Sequence, residues 1–571
     1  MGIAGLARRL EPYRARIEAA DLAGYRAIVD GPSLAYHAEK LAYASLGNHS
    51  RSPSYVDINR KALSWLKALE GLNIKVAAIL FDGSLPATKV DERLSRLNHS
   101  NSRVRLLRIQ YPNAACPIPT PLRSISYPFL APSLREALAD SEYASATHMV
   151  PGEADDWCAP YADDAPRPVI FSSDSDLLLY DYSAECRIVM FDNVELWPEP
   201  QFNGFSPVQT ARSFGLTSLI PFAYCLSLDK HLTFSALLEG AKDVDPDSSD
   251  YREFSSRYER TETSDAYFEH FRSHPTTPQY LDVRISEFFD QVNGNITKPV
   301  VYLPLLVEDP NAASAWNMGN DIRLLAYSLF TKMPTSSFSF FSPNEKHRPT
   351  VEEYRRKAQG VPTHQVQLYK PDELVPAARD MADNISTWMQ WMMDRQVPRD
   401  LIWPLIAANL VLLDLPKAPK ISFLISVLTA DFNNSWDFVH LTARLHATLY
   451  SLRILQQCVC MWLAEHQYSS AEPRQHMDTL YRILADMPGI AELILVPGQD
   501  KKSGVDLVLL RDLLEEIYTA AEMEIPSEKV SKNKAKKVLR EAERKERQKR
   551  EKEAEGERSF NVFDLLNRAP S

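Results

Sequence analysis

The stretch that decides the fold is Val150–Asp181, VPGEADDWCAPYADDAPRPVIFSSDSDLLLYD. Its first part puts Glu153, Asp155 and Asp156 where an apolar strand end gives way to a helix. Carboxylates there sit favourably against the positive end of the helix dipole. Its second part, Pro168 to Phe171, is a short apolar run that ends in Ser-Ser-Asp-Ser-Asp. That is the pattern of a buried parallel strand with polar groups at its carboxyl end. In extended chain, side chains two apart point the same way, so Asp174 and Asp176 are expected to face one site. Open α/β sheets bind ligands outside the carboxyl ends of their strands. Four or five carboxylates converging there repel one another unless cations sit among them. Hard oxygen ligands at that density suit Mg²⁺ or Mn²⁺.

Read singly, each half has a plainer explanation. Ser-Ser-Asp-Ser-Asp is often a loop with Asx-turns and a helix cap, and Glu-Ala-Asp-Asp an ordinary acidic first turn. Together, at this spacing and in a strand context, they favour a site, and the N-terminal third should then supply more acids at strand ends. Two segments fit. Tyr25–Asp30, YRAIVD, is a short apolar strand closed by an acid, and Gly31-Pro32-Ser33 starts a helix through Tyr36 and His37. Val76–Asp82, VAAILFD, repeats the arrangement with Gly83 behind it. A single strand ending in Asp is commonly a cap; three in one domain are harder to dismiss. Strands alternating with helices imply βαβ units and a mostly parallel sheet flanked by helices.

Around this core, Ile58–Leu72 carries apolar residues at helical spacing and should cover the sheet. After Gly83, Lys89 and Arg96 lie seven apart and share a helix face. A solvated basic face is the ordinary explanation, but closeness to Asp82 favours contact with phosphate oxygens. Residues 98–132 are rich in Asn, Ser, Pro and Arg and read as a polar, basic insert, either a functional loop or disordered. Arg187–Leu196 reads as a strand or hairpin arm, and Ser206-Pro207 as a helix start. Leu219–Leu228 is an apolar run again followed by an acid, Asp229.

The 571 residues allow two or three domains. The net charge of −11 argues against an all-over basic coat while leaving room for a local basic groove. The six cysteines are scattered without a CxxC pair, against structural zinc and a disulfide framework. No apolar run approaches bilayer length, and the first twenty residues lack a signal-peptide core, so an intracellular protein is expected. The expected organisation is an α/β domain over 1–245, linker or surface elements over 246–301, and a mainly helical domain over 302–525. A charged tail follows over 526–571. Helical-period apolar stretches include Ile322–Phe330, Leu401–Leu415, Ile421–Thr429, Phe438–Leu463 and Leu507–Ala521. His440 and His446 read as packing or surface residues rather than ligands. The tail cannot bury a core, though its apolar FNVFDLL could dock in a partner's groove.

With MGIAGL, VDGPSLAYH, LFDGSLPATK, PGEADDWCA and SSDSDLLLYD in view, the chain resembles the flap-endonuclease superfamily of PIN-like, XPG-type nucleases. FAYCLSLDKH and YLPLLVEDPNAASAW look more like its Asteroid-homologue branch in a fungal-type form. The resemblance implies a PIN-like sheet and metal-binding acids at Asp30, Asp82, Glu153, Asp155, Asp174, Asp176 and Asp229, with Asp156 the ambiguous neighbour of Asp155. It implies phosphate-contacting, catalytic basic residues at Lys89 and Arg96, and Gly2 beside the active site. It further implies two Mg²⁺ or Mn²⁺ ions and a nuclear enzyme that cuts branched or single-stranded-ended DNA. One departure stands out: the Gly-Ile-Gly hairpin that follows the last acid in flap endonucleases is replaced by HLTFSALLEGAKDVD. Two other readings therefore stay open: a catalytically weak scaffold that binds nucleic acid or protein, and a PIN-like nuclease that cleaves RNA.

Overall fold

In the computed structural model, residues 3–46, 51–85, 89–113, 127–259, 281–294, 296, 298–330, 350–357, 360–466 and 471–526 are described. Gly2, the middle of the expected insert and nearly all of the charged tail therefore lie outside the described residues. Seven strands form the main sheet: β1 (Ala15–Ile17), β2 (Arg26–Asp30), β3 (Lys75–Asp82), β4 (Thr147–Val150), β5 (Pro168–Ser172), β6 (Arg187–Glu195) and β7 (Gln201–Phe205). Their order is β1-β7-β6-β5-β2-β3-β4. The five from β6 to β4 are parallel, and β7 and β1 add an antiparallel edge.

The strands form where the sequence is apolar and β-branched, and both faces are covered. β5 is buried at every residue, as a parallel strand between two helical layers must be. Helices α1 (Leu6–Leu10), α2 (Gly31–Ser45), α3 (Tyr55–Gly71), α4 (Val90–Gln110), α5 (Leu130–Ala139) and α6 (Ala154–Asp163) occupy the N-terminal part. Ile28, Ile170 and Ile188 share a core with Trp157 and Cys158 of α6. On the opposite face Phe171 meets the edge of Trp65 from α3, ring centroids 5.3 Å apart. Because the central strands run the same way, their carboxyl ends share one edge of the sheet. Asp30 and Asp82 end β2 and β3, and the turns after β4 and β5 carry the remaining acids of Val150–Asp181.

Two glycines let those turns close. A methyl group on Gly31 would lie 2.7 Å from the Leu80 carbonyl oxygen, and one on Gly83 would lie 2.2 Å from that of Val150. The Gly83 amide also donates to the Gly152 carbonyl at 2.9 Å, so the β3 and β4 turns are stitched together.

The expected insert is narrower than 98–132. Helix α4 continues to Gln110, and α5 begins at Leu130. The composition hid this because α4 is polar nearly all round. What holds it is a thin apolar edge, Val104 and Leu107, buried with Trp436 and Val439. Farther along, the helical expectation is met by Asn320–Phe330, Arg399–Asp414 and Trp436–Glu465, with Pro371–Asp394 in addition. His440 and His446 are buried and neutral, their pKa values pushed down to about 4 chiefly by desolvation. A small sheet, absent from the sequence reading, joins β8 (Val300–Tyr302), β9 (Thr350–Tyr354) and β10 (Thr363–Gln367) in the order β10-β9-β8. It is locked to Asn320–Phe330 by the fully buried Arg323–Glu353 pair at 2.6 Å. The contacts divide the chain elsewhere than the composition does. Met1–Leu415 with Ser426–Asp506 make one unit, and Pro416–Ile425 with Leu507–Ser571 a second; no break falls at 245 or 301. Within the second unit, Tyr518 donates to the Pro419 carbonyl at 2.8 Å. Among the described residues the cysteines are free thiols, and no helix is long and apolar enough to cross a membrane.

Gly83→Ala should destabilise the protein by about 1–3 kcal/mol, because the obstructing atom is backbone and cannot rotate away. Chemical denaturation of the full chain measures this; an unchanged midpoint would show that the β3–β4 turn has slack.

Candidate metal centre at the strand ends

Six of the acids converge through a network that starts with Asp30. Its carboxylate caps α2, accepting from the Ser33 amide at 3.1 Å and the Ser33 hydroxyl at 2.6 Å. The Ser172 hydroxyl donates to it from the end of β5, also at 2.6 Å, and accepts in turn from the Asp174 amide at 3.0 Å. Neighbouring strand ends are thus tied through two serines. Burial pushes the Asp30 pKa up, against the hydrogen bonds from Ser172 and Ser33. Asp82 accepts from the Ala154 amide at 2.9 Å, at the start of α6. Its pKa is pushed up to about 7, first by burial and then by the charges of Asp30 and Glu153, which outweigh that hydrogen bond.

Glu153 is the N-cap residue of α6, and Asp155 lies in its first turn, as the sequence indicated. The Asp155 pKa is pushed up to about 8 by burial, then by Asp156, Glu153, Asp174 and Asp30. The ambiguity between Asp155 and Asp156 is resolved in part: Asp156 accepts from the Tyr180 hydroxyl at 2.7 Å, whereas Asp155 feels the acids of β2 and β5. Asp174 and Asp176 reach the site differently from the expectation. β5 stops at Ser172, Asp174 caps a 3-10 turn over Ser175–Leu179, and Asp176 sits in it. The pair is therefore presented by a tight turn, not by extended chain, because the Asp174 carboxylate accepts from the Asp176 amide at 2.9 Å. Asp176 accepts from the Ile3 amide at 2.7 Å and the Tyr258 hydroxyl at 3.2 Å. Burial and Asp174 raise its pKa.

Asp229 stands apart. It is exposed at the end of the helix Ile220–Leu228, where its carboxylate accepts from the His231 amide at 2.8 Å. The interactions joining the other six do not include it. Lys89 does reach the cluster, its ammonium 2.5 Å from Glu153 and 3.7 Å from Glu92. Burial pulls the Lys89 pKa down, but Glu153, Glu92 and Asp155 outweigh it and the net shift is upward. Arg96, on the same side of α4, is half-exposed and paired with Glu92 one turn back.

Sequence reasoning overlooked several neighbours. Arg93, one turn after Lys89, is clamped by Glu287 at 2.8 and 2.9 Å and lies over the Tyr302 ring at 4.4 Å. Its helical spacing from Lys89 was the available signal. Glu287 and Tyr258 come from the span taken for a linker, and nothing local in the sequence marks them. Tyr36 is 49% exposed on α2, two turns beyond Asp30.

The donor set fits a hard divalent cation. Carboxylate oxygens of Glu153, Asp155 and Asp156 all lie within 4.8 Å of one another, and oxygen-only ligation of this kind suits Mg²⁺ or Mn²⁺ over softer metals. The raised pKa values of Asp82 and Asp155 express burial first and mutual repulsion second, and a cation beside them offsets both.

Residues 126–368 match the family model described as XPG domain containing. Over that span, less than half of the chain, the sequence is similar to an XPG domain. Glu153, Asp155, Asp174, Asp176 and Asp229 fall inside the matched span, whereas Asp30, Asp82, Lys89 and Arg96 precede it. Among solved structures, human GEN1 in complex with Holliday junction DNA is similar at 14% identity, over 52% of this chain and 74% of that one, with a TM-score of 0.30. The catalytic core of Rad2 in complex with a DNA substrate is similar at 16% identity, over 49% and 81%, with a TM-score of 0.28. Flap endonuclease-1 from Methanococcus jannaschii is similar at 18% identity, over 44% and 85%, with a TM-score of 0.28. Overlaps this loose decide nothing about the substrate. No curated protein matches this chain.

The raised carboxylate pKa values fix the sign of a pH effect. Below the pKa of an unfolded carboxylate, about 4, these acids are protonated in both states and cost nothing. As pH rises towards 7 and 8, the folded state must give up protons it holds more tightly than the unfolded chain does, and stability falls. In chelator, the melting temperature of the full chain should drop by several degrees between pH 5.5 and 8. Asp155→Asn should flatten that drop, and millimolar Mg²⁺ should reverse much of it. A chelated melting temperature that climbs over this range, and does so equally in Asp155→Asn, would contradict the assigned repulsion.

Proposed function

We propose that this protein is a divalent-metal-dependent, structure-specific DNA endonuclease that hydrolyses phosphodiester bonds at branched or single-stranded-ended DNA. The observation that carries the reading is the convergence of Asp30, Asp82, Glu153, Asp155 and Asp174 at the ends of parallel strands, visible in their effects on one another's ionisation. The XPG domain match supports the same class of chemistry. The later segments, with FAYCLSLDKH and YLPLLVEDPNAASAW, support the Asteroid-homologue branch, and a DNA substrate would place the protein in the nucleus.

In this reading Glu153, Asp155 and Asp174 hold Mg²⁺ or Mn²⁺, with two ions the family's expectation, and Asp82 and Asp176 complete the acidic rim. Bound there, such ions polarise the phosphodiester and ease deprotonation of the attacking water. Asp30, fixed by Ser33 and Ser172, holds the β2 and β5 ends in register so that the acids stay together. Lys89, paired with Glu153, would bind a substrate phosphate oxygen in place of that carboxylate, while Glu153 would help hold the cation. Arg96, half-exposed on the same helix face, steers the backbone inward. Tyr36 offers an aromatic face on which a base next to the cut can stack.

A second reading, a nucleic-acid-binding scaffold with little activity, is favoured by two observations. Lys89 is already engaged with Glu153, and Asp229 stands outside the cluster. Cleavage of labelled flap, overhang, hairpin and single-stranded substrates in DNA and RNA form, with Mg²⁺ and Mn²⁺, separates the readings. Asp155→Asn and Asp174→Asn should each lower the rate at least about a hundredfold while the far-ultraviolet spectrum stays unchanged. Lys89→Ala should lower it about tenfold or more. Near-normal cleavage by either Asn variant would sink the metal assignment, and tight binding without cleavage by the wild type would select the scaffold.

A further inference from the structure

Between the second half of α4 and the small sheet lies an open cavity of about 830 Å³. Two of its arginines are structural. Arg108 grips the Asp309 carboxylate at 2.9 and 3.3 Å. Arg356 pairs with Glu308 at 2.7 Å and donates to the Pro310 and Ala312 carbonyls at 3.1 and 2.9 Å. These bonds fix the loop 308–317 as one wall and neutralise the acids nearby. Two further cations on the rim, Arg105 and Lys357, are exposed, and among the described residues neither side chain has a hydrogen-bond or ion-pair partner.

His364, also on this wall, is held through its Nδ1, 3.2 Å from the Arg355 guanidinium, which can only donate, so Nδ1 accepts; its Nε2 is shielded from solvent. Asn311 and Asn317 add side-chain amides, and Ile109, 73% exposed, gives an apolar edge on α4. Uncompensated cations, neutral donors and an apolar edge together match a phosphate with a base attached. The volume suits one or two nucleotides and would not admit a duplex.

Position identifies the source. Lys89 and Arg105 stand on the same helix, 16 residues apart in sequence. At 1.5 Å per residue the span is about 24 Å, or about seven nucleotides of a strand that keeps the stacked 3.4 Å spacing. We propose that this cavity is a phosphate-binding pocket for a single-stranded nucleic-acid arm running along α4 from the acidic site, with Arg105 and Lys357 as its cationic contacts. The proposal rests on the nuclease reading for its direction, and its test needs no cleavage.

The test uses the full chain and the Arg105→Gln/Lys357→Gln variant, both in chelator, with fluorescent oligothymidylate. One oligonucleotide is well short of seven nucleotides and one about twice that length. Each cation lost should make the slope of log K against log salt shallower by about 0.7 for single strands, hence by about 1.4 for both, or about twentyfold in affinity at 0.1 M salt. The loss is expected for the long arm and not for the short one, with unchanged melting temperature. Equal affinity and slope for wild type and variant would overturn the pocket, as would a wild type that ignores the long arm. A variant that binds both oligothymidylates normally, but loses a melting-temperature shift with thymidine monophosphate, would reassign the pocket to free nucleotide and also overturn it. Failure of the nuclease reading would show separately, as absent cleavage in Mg²⁺ with the binding difference intact.

Discussion

Carboxylates that share one partly desolvated face cannot all ionise without cost, and this protein gathers them at the carboxyl ends of parallel strands. The constraint runs through the surrounding structure. Ser33 and Ser172 hold Asp30, the Ala154 amide holds Asp82, and Tyr180 takes up Asp156. The Ile3 amide and the Tyr258 hydroxyl do the same for Asp176. Each contact offsets some of the repulsion through a hydrogen bond to the charged form, yet Asp82 and Asp155 remain well above ordinary carboxylates. The site is strained electrostatically rather than conformationally.

Much of this was legible in the sequence, for a physical reason. A strand buried on both faces must be apolar throughout, so a carboxylate at its end stands out, as Asp30 and Asp82 do after AIV and AILF. The helix-dipole argument likewise located Glu153 and Asp155. Asp174 and Asp176 are presented by a turn rather than by the extended chain expected of them, because side chain-to-backbone hydrogen bonding turns the chain before an extended pair can form. Asp229 follows the same run-then-acid pattern, yet the run is a helix and the acid caps its end, showing how little that pattern means away from a strand.

What stayed hidden depends on contacts distant in sequence. Helix α4 looks like a polar insert because only Val104 and Leu107 mark its buried edge. The groups that fix it, Glu287, Asp309 and Trp436, lie in segments with no composition of their own. Arg93 was visible as one more basic residue; that it is clamped between Glu287 and the Tyr302 ring was not. Composition changes at 245, but Tyr258, Glu287 and Tyr302 reach back across it to the acids and to α4.

That fastening of α4 has a consequence for the timing of biosynthesis. The Trp436 indole donates to the Tyr111 carbonyl across 325 residues of chain. At about 5–20 residues per second, the ribosome takes roughly 15–65 s to cover that interval. Once Phe205 has been made, the β-sheet and its acids can be assembled for the rest of that interval, while the helix that carries Lys89 still lacks its Trp436 contact. A nascent chain is thus armed with its carboxylates well before its basic helix is seated. The order of synthesis withholds a finished site until Trp436 has been made.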